Sequence, residues 1–342
     1  MTITAGYDVG GAHLKVALCE NGRTIAVQQI ACPLWQGIDR LDAALSVAQP
    51  LMTRASRHAL TMTGELCELF TDRKAGVTAI VERLAPMLGP ELHVWMGPRG
   101  FGSPQEAIID PIAAASTNFL ASAELIGRRL GEALMVDMGS TTTDIIPVVG
   151  GHAAPRGLTD GDRLTTGELV YSGLTRTDIT AVAHKAPLHG HTYRLAAGNF
   201  ATMADVRRVL GELQEEVDQH DTADGRGKSL EESLERFARC FGRDRLDASM
   251  HDWRAAAHAI ADRQMTDIAD AVGEVLAATP IAANAPVVAA GIGADIIGPL
   301  AADLGRACRE FGEVVDASGA CRTWATRCAP AVAVALLAEN GG

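Results

Sequence analysis

The chain has 342 residues, of which 47% are hydrophobic and 4% aromatic, and its formal net charge is −12. This length is sufficient for two domains with a substantial core in each, and the abundance of Ala, Gly, Leu and Val favours packed α/β layers. The negative residues are dispersed, which argues against a nucleic-acid-binding protein because such proteins present a basic surface.

The cysteines and the first residues indicate where the protein is found. Seven cysteines are spread along the chain without a Cys-x-x-Cys pair, so neither a zinc site nor a disulfide framework is predicted. The first fifteen residues contain Asp8 and glycines instead of the basic and apolar regions of a signal peptide. No apolar run approaches the roughly 20 residues that a membrane span needs. We therefore expect a cytoplasmic protein.

The first half of the chain alternates strand and helix patterns. Strands are predicted at 3–7, 14–19, 24–31, 59–62, 93–96, 133–136 and 145–149. Helices are predicted at 38–52, 74–87 and 111–129. Asn21-Gly22 is a strong hairpin signal between the second and third strands. The chain therefore begins as a β-meander.

The second half is more helical. Apolar residues at helical spacing predict helices at 203–217, 230–241, 253–278, 296–309 and 330–337. Strands are predicted at 286–290 and 314–315. A polar loop is predicted at 221–229, of which residues 221–228 are interpreted as a mobile lid. We expect an N-terminal lobe over 1–130, to which a C-terminal helix within 322–342 returns. A C-terminal lobe over 131–321 is expected to carry a helical insertion near 200–280.

Two similar glycine turns, each preceded by an aspartate, are the most informative motifs. They read Asp8-Val9-Gly10-Gly11-Ala12-His13-Leu14-Lys15 and Asp137-Met138-Gly139-Ser140-Thr141-Thr142-Thr143-Asp144. Glycine lets the backbone approach a ligand closely, and successive N–H groups at such a turn bind anions. The aspartates repel phosphate, but they can hold a divalent cation that bridges to it. The pair predicts a clamp on a diphosphate or triphosphate.

A third glycine motif, Ala290-Gly291-Ile292-Gly293, follows a predicted strand and precedes a helix. Three motifs in this order resemble the ASKHA superfamily of acetate and sugar kinases, Hsp70 and actin. The resemblance implies an α/β fold of two actin-like, ribonuclease H-like lobes with a cleft between them. It also implies that the late glycines pass beneath the adenosine of a nucleotide.

A narrower resemblance is to the hydantoinase/oxoprolinase-related branch of that superfamily, which is linked to tetrahydromethanopterin-dependent one-carbon metabolism. Within this branch, the sequence resembles the synthases of methanofuran and methylofuran biosynthesis. Beyond the two turns it is carried by residues 62–65, 159–164, 166–173, 176–177, 223–225 and 236–239. Two positions depart from the family pattern: His13 replaces an expected Asn, and Gly198-Asn199-Phe200-Ala201 replaces an expected Glu-hydrophobic-Phe-Ala. These departures bear on substrate specificity more than on fold.

The resemblance implies an ether-forming transferase. The reaction joins an aminomethylfuran-methyl diphosphate to the phenol oxygen of a glutamyl-tyramine or tyrosine-type acceptor and releases diphosphate. Backbone N–H donors and Mg²⁺ would neutralise the leaving group, and a base would take the phenol proton. No organic cofactor is expected, and no nucleic acid or membrane is expected as a partner. The sequence does not determine the oligomeric state, and a homo-oligomer is one of the open alternatives.

The candidate site residues divide into three roles. The catalytic candidates, of which the first two are also the expected metal ligands, are Asp8, Asp137, Lys15, Glu168 and Asp160. The phosphate-binding candidates are Gly10, Gly11, His13, Gly139, Ser140, Thr141, Thr142, Gly291 and Gly293. The substrate-binding candidates are Arg163, Tyr171 and Arg176, since arginine suits bidentate binding of anions. Glu168 or Asp160 is the expected base for the phenol proton.

Other interpretations stay open. The same loops would serve an ATP-dependent small-molecule kinase or an oxoprolinase-type hydrolase, in which Gly291 and Gly293 lie beneath adenosine. A nucleotide-sensing protein that opens and closes is a third class, although no peptide-binding appendage is visible. His184, His189 and His191 resemble metal ligands, but histidines in a polar loop without a nearby carboxylate are more often solvated.

Overall fold

The computed structural model describes residues 2–339, and its first half is built on a six-stranded sheet. The strands are β1 (Ile3–Val9), β2 (His13–Glu20), β3 (Arg23–Ala31), β4 (Arg57–Met62), β5 (Leu92–Trp95) and β6 (Phe101–Gly102). They lie in the order β3-β2-β1-β4-β5-β6, with β1 antiparallel to β2 and parallel to β4. The predicted meander and both buried strands of this half are confirmed.

Five helices accompany this sheet. They are α1 (Asp39–Met52), α2 (Arg73–Leu88), α3 (Pro104–Ile109), α4 (Pro111–Ala114) and α5 (Asn118–Leu130). The prediction of one helix over 111–129 is wrong, because the chain breaks at Ser116, whose φ is 51°. The Ser116 hydroxyl donates a hydrogen bond to Oε1 of buried Glu65 at 2.7 Å. This long-range contact, which no local pattern encodes, holds the break.

The second half repeats the plan of the first. Its strands are β7 (Ala133–Met138), β8 (Thr143–Val149), β9 (His152–Ala153), β10 (Leu169–Val170), β11 (Lys185–Leu188), β12 (His191–Arg194), β13 (Val287–Ala290) and β14 (Cys308–Glu310). The second sheet has the order β10-β8-β7-β13-β14, with β9 beside β8. As in the first sheet, a hairpin is followed by parallel strands, so the predicted two-lobed ribonuclease H-like fold is confirmed.

The helices of the second half correct several predicted boundaries. They are α6 (Asp160–Thr166), α7 (Ile179–Val182), α8 (Met203–Leu210), α9 (Leu230–Arg239), α10 (Met250–Ala278), α11 (Gly298–Asp303), α12 (Phe311–Val314), α13 (Gly319–Arg327) and α14 (Ala329–Glu339). Helix α8 does not extend to Val217, because Gly211 ends it in the left-handed conformation with φ 76°. The predicted helix 296–309 ends at Asp303, since Cys308–Glu310 pairs with β13. The predicted strand at 314–315 is wrong, because Val314 is the last residue of α12 and Val315 is its C-cap.

Short 3-10 helices connect these elements. They lie at Leu34–Gln36, Gly64–Leu66, Gly89–Glu91, Gly97–Arg99, Glu215–Val217, Arg245–Asp247 and Ala294–Ile296.

Helices α5 and α14 lie between the two lobes. Helix α14 contacts β1, β2 and β4 of the first sheet as well as α5, which packs on β7 and β8. The approach to β1 is close, since a Cβ on Gly6 would lie 1.9 Å from the carbonyl oxygen of Ala331. One apolar core therefore includes residues of both sheets and both helices. This packing fixes the position of one lobe against the other.

A separate apolar core lies in the insertion of the second lobe. Helices α8, α9 and the first half of α10 pack there with the β11–β12 hairpin around Phe237 and Trp253. Within residues 2–339, no helix is both long and apolar enough to cross a membrane.

Candidate active site

The two glycine turns have the same hydrogen-bonded shape and face one cleft between the lobes. The Gly10 N–H donates to the carbonyl oxygen of His13 at 2.9 Å, and the Gly139 N–H donates to that of Thr142 at 2.9 Å. Each turn joins the two strands of a hairpin, β1–β2 in one lobe and β7–β8 in the other. The cleft is therefore lined by both lobes.

Most of the candidate residues line this cleft. Those that do are Asp8, Gly10, Gly11, His13, Lys15, Asp137, Gly139, Ser140, Thr141, Thr142, Asp160, Arg163, Tyr171 and Arg176. Three do not line it, namely Glu168, Gly291 and Gly293. The cleft also includes side chains that the sequence analysis did not assign, among them Trp35, Thr63, Glu68 and Asn118.

Asp8 and Lys15 form an ion pair at the base of the cleft. They are direct cross-strand neighbours on β1 and β2, and Lys15 Nζ lies 3.2 Å from Asp8 Oδ2. Although burial alone disfavours the ammonium, Asp8, Cys328 and Asp137 carry the pKa of Lys15 above its ordinary value. The other oxygen, Asp8 Oδ1, is buried and has no hydrogen-bond partner within the described part of the chain. That oxygen is available to a ligand.

The equivalent position in the second lobe carries two acids. Asp137 and Asp144 are cross-strand neighbours on β7 and β8, in the places that Asp8 and Lys15 occupy in the first lobe. Burial raises the pKa of Asp137 to about 7, with Lys15 acting against the shift and Asp144 and Asp8 adding to it. Neither residue of the Asp137–Asp144 pair is cationic. Among the four residues of the two cross-strand pairs, Lys15 alone is a cation.

Arg163, on α6, balances the negative charge of Asp144, the second of these two acids. Its guanidinium is 3% exposed and forms ion pairs with Asp144 and, at 2.9 Å, with Asp160. It also stacks over the Phe119 ring at 3.8 Å. Burial raises the pKa of Asp144 despite this partner. Arg163 is thus occupied by carboxylates, which leaves Arg176 as the arginine with more freedom to meet an anion.

Glu168 lies outside the lining of the cleft, although the sequence analysis expected it to be catalytic. Its carboxylate is fully buried and accepts hydrogen bonds from the N–H groups of Arg156 at 2.6 Å and Gly157 at 2.9 Å. The Thr166 hydroxyl donates a third, at 2.8 Å. This arrangement ties the 154–158 loop to the start of β10. Since the side chain does not line the cleft, we assign Glu168 a structural role.

Gly291 and Gly293 are likewise packing positions. A Cβ on Gly291 would lie 2.3 Å from the carbonyl oxygen of Met138 and 2.4 Å from Asp137 Oδ1, and the residue has φ 81°. A Cβ on Gly293 would lie 2.6 Å from Met138 Sδ. The two glycines therefore let β13 and its following turn approach the second glycine turn from behind. The prediction that they contact a phosphate is not supported by this placement.

A cluster of rings and cations lies at the boundary of the two lobes. Its members His13, Trp35 and Arg176 line the cleft, whereas His220 contacts His13 without lining it. The imidazoles of His13 and His220 lie edge to face with centroids 4.5 Å apart, and Trp35 lies 5.6 Å from His220. The Arg176 guanidinium lies 4.5 Å from the centroid of Trp35. His13 and Trp35 belong to the first lobe, whereas Arg176 and His220 belong to the second. No motif in the sequence marks Trp35 or His220.

The segment that carries His220 is held by ion pairs. Asp218 pairs with Arg208 at 2.7 Å and with Lys228 at 3.4 Å, and Asp224 pairs with buried Arg236 at 3.1 Å. The interpretation of 221–228 as a mobile lid is not supported by these contacts.

The three histidines of the insertion do not form a metal site. His189 and His191 are exposed at the ends of the β11–β12 turn, and His184 is exposed before it. Among residues 2–339, no group of three His, Cys, Asp or Glu side chains is arranged to hold a metal ion.

Comparison with known proteins identifies the family. Residues 57–321 match the model of the hydantoinase/oxoprolinase family. The chain belongs to the hydantoinase/oxoprolinase family. Within the family it is similar to a Methanocaldococcus jannaschii protein named (4-{4-[2-(gamma-L-glutamylamino)ethyl]phenoxymethyl}furan-2-yl)methanamine synthase. The two are 32% identical over 241 residues, which cover 70% of this chain and 72% of that protein.

Two further similarities agree with the family and the fold. A Methanococcus vannielii protein of the same name is 36% identical over 118 residues, 34% of this chain and 53% of that protein. Among solved structures, nucleotide-free acetone carboxylase superposes with a TM-score of 0.54 at 11% identity, covering 96% of this chain and 70% of that one. The second similarity concerns the fold alone.

Proposed function

We propose that this family member is a transferase of methanofuran or methylofuran biosynthesis. It joins an aminomethylfuran-methyl diphosphate to the phenol oxygen of a glutamyl-tyramine or tyrosine-type acceptor and releases diphosphate. The observation that carries the proposal is the convergence of two anion-binding turns, one from each lobe, on a single cleft. The name of the two relatives, which describes an aryl ether of a furan, supports the choice of substrates.

Because carboxylates outnumber cationic side chains in the cleft, a diphosphate needs a metal cation in order to bind there. Five carboxylates line it, compared with three permanently cationic side chains, those of Lys15, Arg163 and Arg176. A diphosphate alone would be repelled. Mg²⁺ fits this donor set, since Asp8 Oδ1 has no partner inside the described range and hard oxygen ligands suit the ion. Asp8 and Asp137 would hold it, with phosphate oxygens and water as the other ligands.

The chemical step breaks one C–O bond and forms another. The bond between the furan-bearing CH₂ and the inner phosphate oxygen breaks, and its electron pair leaves with the diphosphate. The furan ring delocalises the positive charge that develops on the CH₂. The phenol oxygen then bonds to this carbon and gives up its proton. When bound, Mg²⁺ would neutralise the leaving group's charge.

The protein's own groups supply the remaining roles. Backbone N–H groups of the two turns and the Lys15 ammonium would bind the departing oxygens, which gain negative charge in the transition state. Asp160 lines the cleft, whereas Glu168 does not, so Asp160 is the proposed acceptor of the phenol proton. Exposed Tyr171 and Leu66 would flank the acceptor's aromatic ring at the cleft mouth.

An ATP-dependent reaction is the alternative for the same turns. The late glycines expected beneath adenosine pack against Met138 instead. This placement favours a phosphorylated furan over a nucleotide.

The proposal is tested by product formation. Purified protein with Mg²⁺, the furan diphosphate and γ-glutamyl-tyramine is expected to yield one ether for each diphosphate released, measured by mass spectrometry and a diphosphate assay. Tyramine and tyrosine serve as competing acceptors. Diphosphate release without ether formation, or Mg²⁺-dependent hydrolysis of ATP at a comparable rate, would refute the proposed reaction.

A further inference from the structure

The cation-rich end of the cleft is the part lined by His13, Trp35 and Arg176, with His220 packed against His13. The charged groups that act on His13 are His220, Lys15 and Arg176, all cationic or able to become so. Of the carboxylates that line the cleft, Glu68 acts on Arg176, whereas Asp8 and Asp144 act on Asp137. The carboxylates around Asp137 favour a metal ion, and the basic groups around His13 favour an anion.

Two imidazole nitrogens at this end have no partner. Nε2 of His13 and Nε2 of His220 are both buried, and neither has a hydrogen-bond partner in the part of the chain that the structure describes. The His13 residue is 5% exposed. Leaving such polar atoms unsatisfied costs free energy, so their pairing with a ligand is favoured. A neutral imidazole carries one N–H group, and with that proton on Nε2 each histidine can donate a hydrogen bond to a phosphate oxygen.

The arrangement is held in place before any ligand arrives. His220 follows Asp218, which is paired with Arg208 and Lys228. The neighbouring Gln219 side chain donates to the carbonyl oxygen of Gln29 on β3, 3.3 Å away in the other lobe. On the opposite side, Arg176 Nη1 lies 3.4 Å from Thr141 Oγ1 of the second glycine turn. The cation-rich end therefore adjoins both turns.

We propose that His13, His220 and Arg176 form the subsite for the terminal phosphate of the diphosphate. The inner phosphate, which carries the CH₂ group, then lies beside Lys15, Asp8 and Asp137. A terminal phosphate suits the cation-rich end, because His13 and Arg176 both line it and His220 lies in ring contact with His13. This assignment rests on the proposed function and adds His220, from the insertion, to the site.

The effects of burial and of neighbouring cations on the pKa values of His13 and His220 favour the binding of an anion beside them. Burial, with His220, Lys15 and Arg176 in addition, lowers the pKa of His13 well below its ordinary value. Burial also lowers the pKa of His220 to about 4, with Arg176 and Lys228 adding to the shift and Asp218 and Asp221 acting against it. An incoming phosphate offsets both effects, since it is the opposite charge that the pair lacks.

Calorimetric titration with Mg²⁺-diphosphate and with Mg²⁺ and inorganic phosphate tests the subsite. The variants are His220→Gln and His13→Ala, and His191→Gln is the control in an exposed hairpin of the same insertion. We expect each cleft variant to bind diphosphate at least tenfold more weakly, with inorganic phosphate affinity within threefold of the wild type. His191→Gln should match the wild type for both ligands. Diphosphate affinity within twofold of the wild type in both cleft variants would overturn the subsite.

A carboxylate-bearing acceptor is the competing occupant. If His220→Gln weakens the binding of γ-glutamyl-tyramine tenfold and leaves that of diphosphate unchanged, the cation-rich end binds the glutamyl carboxylate and the proposal is wrong. Because these titrations need no turnover, they are independent of the proposed reaction. Histidine-dependent diphosphate binding without ether synthesis would refute the reaction alone, whereas ether synthesis with unaltered diphosphate binding would refute the subsite alone.

Discussion

Asp8 and Asp137 occupy the same position in the two lobes, yet both act on one ammonium, that of Lys15. Each aspartate precedes a glycine turn, but its cross-strand neighbour is Lys15 in the first lobe and Asp144 in the second. The repeated hairpin is therefore symmetric in backbone and asymmetric in charge. In the proposed reaction, this asymmetry would provide two carboxylates for a metal ion and one fixed cation for a phosphate.

Removing either carboxylate charge should stop the reaction. For Asp8→Asn and Asp137→Asn we expect kcat to fall by roughly 10²–10³ because a main stabiliser of the leaving group is lost. The free energy of unfolding of Asp137→Asn should be unchanged or higher, since repulsion from Asp144 is relieved. Steady-state kinetics and urea unfolding measure the two quantities. Exposed Asp295→Asn is the control, and near-normal kcat in both cleft variants would contradict the metal assignment.

Lys15 should contribute to stability as well as to the site. Lys15→Met leaves the carboxylate of Asp8, which is 1% exposed, without its ion-pair partner. Breaking a buried pair in this way typically costs about 3 kcal/mol or more. We expect a loss of roughly that size in urea unfolding, with Lys15→Arg retaining most of the stability. A loss below about 1 kcal/mol in Lys15→Met would mean that water replaces the ammonium.

Glu168 should behave as a structural residue. Glu168→Gln keeps one acceptor oxygen but loses part of the contact with the Arg156 and Gly157 N–H groups. We expect a destabilisation of about 1–3 kcal/mol and a kcat/KM within about threefold of the wild type for the folded fraction. Denaturant titration and initial rates test this. A kcat reduced a hundredfold at unaltered stability would restore Glu168 as the base, whereas Asp160→Asn is the variant that should lower kcat.

Gly291 should not tolerate a side chain. In Gly291→Ala the added Cβ meets Met138 and Asp137 at distances under 2.5 Å, in a backbone with φ 81°. We expect a destabilisation of about 1–3 kcal/mol together with reduced activity, because the turn that carries Asp137 is displaced. Gly298→Ala is the matched control, since nothing lies within 4 Å of its added Cβ. Thermal unfolding of both variants gives the comparison, and equal melting temperatures would contradict the packing role.

His13 and His220 should each lower the stability of the protein in acid. Burial lowers the pKa of both, so these histidines bind more protons in the unfolded chain than in the folded one once the pH falls below about 6.5. Asp137 acts in the opposite direction over the same range, because burial raises its pKa to about 7. Relative to the wild type, His220→Gln should therefore gain about 1 kcal/mol of stability between pH 7 and pH 5. Urea unfolding at the two pH values, in EDTA, measures this difference, and the same pH dependence in the wild type and the variant would show that His220 is not kept neutral by the fold.

Much of the fold could be predicted because the signals are local. Asn21-Gly22 forms the expected hairpin turn, with φ values of 53° and 75°. The two Asp-led glycine turns also connect antiparallel strands as predicted. By contrast, the predicted helix over 111–129 is divided, since the break at Ser116 depends on buried Glu65, 51 residues away in the chain.

The sequence by itself determined the two hairpins, their glycine turns and the acids that precede them, because these features depend on neighbouring residues. Only the tertiary structure decided which polar side chains reach the cleft. Asp160 and Glu168 belong to one polar segment, yet the first lines the cleft and the second is buried beneath three hydrogen bonds. His220 reaches the first lobe from an insertion without a motif of its own. Burial and the choice of partner arise from contacts between residues distant in sequence, and local patterns carry no record of those contacts.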